Sequence, residues 1–201
     1  MENEKGKIST GLVIGLVVAS LIVVGIVSVT SFVYLNAPKE VQERRLDGGN
    51  IRLTYSDDDS SLQITSVTMI DDIAGMKINK ADSYFDFSVA VDLDEASNIE
   101  YEISVIPDSD TTIPTKYIKV YLEKMKSGSF VSTGNPDVLT LSSKITELGS
   151  KKGSMVLLKE STKKSGTENY RLRAWVDSTS QYLVTATDKI ILNVEVNGKA
   201  S

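Results

Sequence analysis

Residues 11–35 read GLVIGLVVASLIVVGIVSVTSFVYL, an apolar run without a single charged residue. As a helix, these 25 residues extend roughly 37 Å, more than the roughly 30 Å hydrocarbon core of a bilayer. The run is long enough to cross a membrane with some tilt. It divides the chain into a short head (residues 1–10), a transmembrane helix or signal-anchor (11–35), a charged linker (36–50) and one domain (51–201). A short juxtamembrane helix is an option within the linker, over residues 39–46.

Lys5 and Lys7 precede the run, and Lys39, Arg44 and Arg45 follow it. That count leans against a cytoplasmic N-terminus, but long domains translocate largely regardless of charge. A short basic head, an apolar run and then a whole domain is the layout of an export signal. The expectation is a single-pass protein of the cell membrane with its C-terminal domain extracellular. Leu35-Asn36-Ala37 is a poor cleavage site because Leu is bulky and Pro38 follows. Ser28 to Ser31 offers weaker small residues than Ala, so a retained anchor is expected, with a processed signal as the alternative. Gly11, Gly15 and Ala19 form a stripe that would let two helices approach closely, although such residues are common in membrane helices.

The polar remainder is the size of one domain and large enough to bury a core without staples. It needs to, because the chain has no cysteine. Lysines and acids are interspersed and the net charge is -5, so there is no basic stripe to follow phosphates and no nucleic-acid partner is expected.

From residue 51 the pattern is that of strands. Residues 51–55, 62–70, 84–93, 99–106, 118–124, 138–141, 155–158, 169–176 and 189–196 are apolar-alternating or rich in β-branched side chains. In residues 84–93, Phe85, Phe87, Val89, Val91 and Leu93 share one face and Asp86, Ser88, Ala90 and Asp92 the other. A bulge would break that register, so Phe85, Phe87, Val89 and Val91 are not all expected to be buried. Phe87→Ala is expected to be costly and Asp86→Ala nearly silent. Pro107 should end the fourth strand, Asn197-Gly198 the last, and residues 143–148 suggest one helical turn closed by Gly149. Nearly unbroken strand pattern predicts a mainly β domain, an antiparallel β-sandwich with jelly-roll-like connections. The first strand (51–55) and the last (190–196), as chain-end strands, are the expected sheet edges and contact surfaces, with Leu192 and Val194 as test positions.

The absence of histidine excludes histidine bases, Ser-His and Cys-His pairs and histidine metal ligands. With no cysteine there is no thiolate zinc site or iron–sulfur cluster, and no phosphate-binding glycine pattern occurs. Ser161-Thr162-Lys163-Lys164 matches S-x-x-K, but it lies in a polar stretch between two strands and reads as a solvated loop. Acids gather at Asp57-Asp58-Asp59, Asp71-Asp72, Asp92-Asp94-Glu95 and Asp108-Asp110. They lack the calcium-loop pattern and read as soluble turns that start strands. Tyr170 and Trp175 read as core aromatics. A lysine, an asparagine and a buried acid could form an isopeptide crosslink, but the sequence selects no partners. The expected site set is therefore empty: no catalytic residue, no metal ligand and no cofactor.

Three stretches resemble the small single-anchor surface proteins of Gram-positive bacteria related to the biofilm fibre protein TasA and to camelysin. They are GNIRLTY (49–55), YFDFSVAVDLDEASNIEYEISVI (84–106), and ENYRLRAWV (168–176) followed by residues 190–196. The resemblance implies a jelly-roll-like sandwich, export, and a role at the surface or in a matrix. The chain departs from it in lacking an Ala-x-Ala cut site and in its charged linker. Camelysin has been described as a metal-dependent protease, but this chain has no histidine to carry a zinc motif. The functional expectation is a non-enzymatic, membrane-anchored surface protein with a structural, adhesive or matrix role. Its partners would be the bilayer, through residues 11–35, and a protein, which could be a second copy. A phage virion or host-attachment protein and an extracytoplasmic enzyme are the alternatives.

Overall fold

The computed structural model describes residues 41–46, 49–55, 61–80, 82–94, 97–134, 138–141 and 153–200. The chain divides after Ala37, and all of these residues belong to the unit Pro38–Ser201. The run 11–35 and the helical turn expected at 143–148 lie outside the described residues. Among the described residues, no helix is long and apolar enough to cross a membrane.

The elements in chain order are β1 (Val41–Leu46), β2 (Gly49–Tyr55), β3 (Ser61–Ile64), β4 (Met69–Ile70), α1 (Asp72–Lys77), β5 (Tyr84–Leu93), β6 (Ile99–Pro107), β7 (Ile118–Lys126), β8 (Ser129–Ser132), β9 (Val138–Thr140), β10 (Met155–Thr162), β11 (Gly166–Asp177) and β12 (Ile190–Ala200). A single 3-10 turn, Thr115–Tyr117, precedes β7. The larger sheet runs β1-β2-β5-β11-β7-β8, with β4 added on β11 and β9 on β7; the smaller runs β10-β6-β12-β3. All pairings are antiparallel except β4 with β11. The domain is thus mainly β, as its alternating pattern requires.

One apolar core draws on both sheets: Ile51, Leu53, Phe85, Phe87, Tyr170 and Leu172 from the larger, and Leu62, Ile103, Val105, Leu192 and Val194 from the smaller. β5 supplies its regular face. Phe85, Phe87, Val89 and Val91 are all buried, contrary to the expectation of a bulge, because β5 pairs residue for residue with β2 and β11.

Four further expectations are corrected. The linker 36–50 contains a strand, β1, which pairs with β2 from Val41↔Thr54 to Leu46↔Gly49, rather than a helix. Its exposed Glu43, Arg44 and Arg45 masked the strand pattern. The single strand read over 62–70 is two, since β3 pairs with β12 in one sheet and β4 with β11 in the other. The last strand does not stop at Asn197-Gly198 but continues to Ala200. Gly198 faces Tyr101, and a Cβ there would run into Ile51 Cδ1, so it serves a close approach between sheets rather than a turn. Finally, β2 and β12 are not edge strands. β2 lies between β1 and β5, and β12 between β6 and β3, with Leu192 and Val194 in the core.

Two elements were not anticipated, α1 and the strand β8. α1 starts where the Asp71 side chain accepts the Ala74 N–H at 2.8 Å, a helix cap that the sequence does display. β8 follows β7 through a turn at Ser127-Gly128, a stretch whose Ser-Gly-Ser composition marks a turn, and there Gly128 takes φ 83°, a left-handed conformation that glycine adopts without a Cβ clash.

Candidate functional site

β11 is the strand on which the polar chemistry is organised, because both its faces are covered. Its inward face carries Tyr170, Leu172, Ala174 and Val176, all buried. Its outward face carries Arg171, Arg173 and Trp175. Trp175 is buried beneath α1, whose Gly75 has no room for a Cβ against the indole ring. Tyr170 and Trp175 are thus core aromatics, as their sequence context suggested.

On the outward face, Arg171 makes a two-pronged pair with Asp86, Nε to Oδ1 and Nη2 to Oδ2, both at 2.7 Å. Its guanidinium lies over the rings of Tyr84 and Phe130, 4.1 and 4.3 Å from their centroids. Arg173 donates from Nε to Glu123 Oε2 at 2.8 Å and from Nη1 to the Ile78 carbonyl. Arg173 and Glu123 are both buried. Planar pairing and stacking are what a guanidinium offers and an ammonium does not.

On the inward face a second cluster joins the two sheets near the loop by which the chain crosses from β10 in the smaller sheet to β11 in the larger. Glu160, on β10, accepts Lys124 Nζ at 3.0 Å on Oε1 and 2.8 Å on Oε2. Its Oε2 also accepts the Tyr101 hydroxyl at 2.6 Å and the Tyr170 hydroxyl at 3.3 Å. The two tyrosine oxygens are 3.0 Å apart. Burial pushes the Glu160 carboxyl up, but hydrogen bonds from Lys124 and Tyr101 outweigh it and hold the group below its ordinary value. Burial, aided by Glu160, raises Tyr101. Tyr170 rises for the same first reason, with Tyr101 as the next contributor. Both phenols therefore stay neutral and act as donors at physiological pH. Lys124 Nζ also lies 3.6 Å from Glu168 Oε1, too far for a hydrogen bond. Beside this cluster is a cavity of about 500 Å³ whose charged lining is Lys124, Lys164, Glu160 and Glu168, two positive and two negative groups.

The weak sequence candidates are resolved individually. Ser161 Oγ donates to Asn98 Oδ1 at 2.9 Å, and Lys163 and Lys164 are exposed in the loop between β10 and β11, so no serine–lysine pair forms. Asp108 caps its own turn through the Asp110 N–H at 2.9 Å, Asp110 pairs with Lys189 at 3.1 Å, and Asp92 pairs with Arg52 at 2.7 Å. Asp57, Asp58, Asp59 and Glu95 lie outside the described residues. Among the described residues, no group of three or more acidic side chains is placed to hold a metal ion.

An isopeptide geometry comes nearest in a row across the smaller sheet, where Lys159 faces Glu102 and Glu102 faces Asn197. The Lys159 ammonium is 2.8 Å from the fully buried Glu102 carboxylate. Lysine and asparagine are separated by a whole strand, about 10 Å at the usual inter-strand spacing, with the acid's own side chain between them. The sequence supplied the residue types, but the register sets the ammonium against a carboxylate instead of an amide. No family model, curated protein or solved structure matches the chain.

Proposed function

We propose that this chain is a non-enzymatic protein of the cell surface, held in the membrane by residues 11–35. Its exported domain is a jelly-roll-like sandwich that acts through protein–protein contact in a structural, adhesive or matrix role. The observation that carries this reading is how the ionisable groups are used. Arg171 and Arg173 are spent on Asp86 and Glu123. Glu160 is spent on Lys124 and two tyrosines. Asp188 is spent on Thr112, Tyr182 and the Thr185 N–H. A catalytic acid or base needs access to a substrate proton, and groups committed to holding strands together have no such freedom. The resemblance to the TasA and camelysin surface proteins and the apolar run before the domain support the same reading.

The test is made in the organism's own cells. The full chain should stay in the membrane pellet after carbonate washing and be cut by protease added outside intact cells. Deleting the gene should alter cell–cell or cell–surface attachment. Recovery of a mature N-terminus near Ser31 or Ala37 defeats the anchor, and unchanged attachment after deletion defeats the structural role.

A further inference from the structure

We infer that the end of the domain where β11 passes into the β11–β12 loop rests on the bilayer surface, with Leu183 and Ile73 entering the headgroup layer. Several elements meet at this end. β7 begins there, with Ile118 paired to Val176. β4 joins β11 beside it, and the Ser178 N–H, at the head of the β11–β12 loop, donates to the Ile70 carbonyl at 3.0 Å. α1 follows β4 and packs on Trp175. Among the described residues, Leu183 and Ile73 are the most exposed large apolar side chains, at 83% and 65%. Both are held out by fixed neighbours. Leu183 lies between Tyr182 and Val184, which pack against the core, and Asp188 accepts the Tyr182 hydroxyl at 3.0 Å and the Thr185 N–H at 2.7 Å. Ile73 is carried by a helix whose Gly75 is pressed against the indole. Residues 178–187 contain no charge, in a chain of which 24% is charged. An uncharged loop with a tyrosine and a protruding leucine has the composition of a membrane-interface segment.

The occupant follows from where the chain enters the domain, given the membrane anchoring by residues 11–35 proposed above. Only residues 36–40 separate that run from β1, and the chain from Leu35 to Val41 reaches at most about 22 Å. β1 starts level with Asn169 of β11, through the pairs Val41↔Thr54, Thr54↔Ser88 and Ser88↔Asn169, and it runs away from the α1 end. The chain therefore enters β1 from the α1 side. On that side β11 continues from Asn169 to Val176, about 23 Å at the usual strand rise, and the β11–β12 loop leaves from there. The reach of the tether does not exceed the length of domain beside it. It cannot hold the α1 end clear of headgroups that extend roughly 5–7 Å beyond the hydrocarbon core. The two exposed apolar side chains stand at the end that this geometry brings to the lipid.

The chain has no cysteine, so one environment-sensitive dye can be attached at a single introduced thiol. Gln181→Cys places it on the loop beside Leu183, and Lys163→Cys places it between β10 and β11, at the opposite end of β11; both positions are exposed. The full chain is reconstituted into vesicles of phosphatidylcholine and phosphatidylglycerol, with or without lipid carrying a nitroxide quencher near the headgroup. Emission from position 181 is expected to shift to the blue and to be quenched about twofold by the nitroxide lipid, as for a group lying in the interface. Position 163 is expected to show neither effect. Leu183→Ser combined with Ile73→Ser should return position 181 to the behaviour of position 163. An unchanged Trp175 emission certifies the fold of this variant, and Leu183→Gln with Ile73→Gln replaces a serine pair that fails the check. A chain that does not float with the vesicles after carbonate washing overturns the anchor, and the membrane contact with it. A chain that floats with position 181 unquenched keeps the anchor and overturns the contact, leaving Leu183 and Ile73 to a protein partner. Quenching that survives the serine pair, or that is equal at positions 181 and 163, also overturns the contact, since nearness to the bilayer alone would then account for it.

Discussion

The two charged clusters on β11, one on each face, solve the problem of burying polar groups differently. On the outward face, guanidinium forks meet carboxylates in plane, aromatic rings cover them, and α1 seals Trp175 alongside. On the inward face an ammonium, a compact charge on a flexible stem, is hydrogen-bonded to Glu160 and stands 3.6 Å from the half-exposed Glu168. Arginine's fixed geometry closes a site; lysine's shared charge leaves one partly open. The first cluster is architecture on both sides, whereas the second combines an architectural half, Glu160, with a half-exposed carboxylate, Glu168, that makes no hydrogen bond to the shared ammonium.

The largest effect expected from this difference is at Glu123. Glu123→Ala leaves the buried Arg173 guanidinium without its carboxylate and should cost about 3–5 kcal/mol in equilibrium unfolding. A cost below that of an exposed pair would mean that the outward cluster is not sealed. Asp86→Ala comes next, at about 2 kcal/mol, because a two-pronged partner of Arg171 is lost. Sequence reasoning treated Asp86 as a silent surface residue beside Phe87, whose truncation should cost about 3–5 kcal/mol. The structure narrows that contrast, and comparing the two variants by urea unfolding measures by how much.

A smaller effect, dependent on pH, is expected at Glu160. Its carboxyl titrates below the ordinary value of 4.5, so its stabilisation is fully present above that value and is lost as pH falls through the lower folded-state value. Glu160→Gln should therefore lower stability at neutral pH but lose less of it on acidification below pH 4.5. Unfolding midpoints measured from neutral to acid pH check this, and parallel curves for the two proteins would remove Glu160 from the account. The exposed pair Arg52–Asp92 gives the baseline: Arg52→Ala should change stability by under about 0.5 kcal/mol.

The strands that shape both clusters were legible in the sequence wherever one face is apolar and the other polar. β5 is the clearest case, its bounds identical to those read from alternation. β1 was not legible, because an edge strand covered with Glu43, Arg44 and Arg45 has the composition of a linker. Neither was the break between β3 and β4, because crossing from one sheet to the other leaves no mark on side-chain alternation. Chain-end position was a poor guide to sheet position: β1 outflanks β2, and β3 returns to cover β12. The inward cluster was invisible for a related reason. Tyr101, Lys124, Glu160 and Tyr170 come from four strands, and only the register of β6 with β10 and of β7 with β11 brings them together.

The claim that Glu168 is spare while Glu160 is structural is tested most directly by one variant, Glu168→Gln, followed by equilibrium unfolding of the full chain in detergent micelles. The account predicts stability within about 0.5 kcal/mol of the unaltered protein, as for other half-exposed ion pairs. A loss as large as that of Glu160→Gln would contradict it and make Glu168 part of the fold.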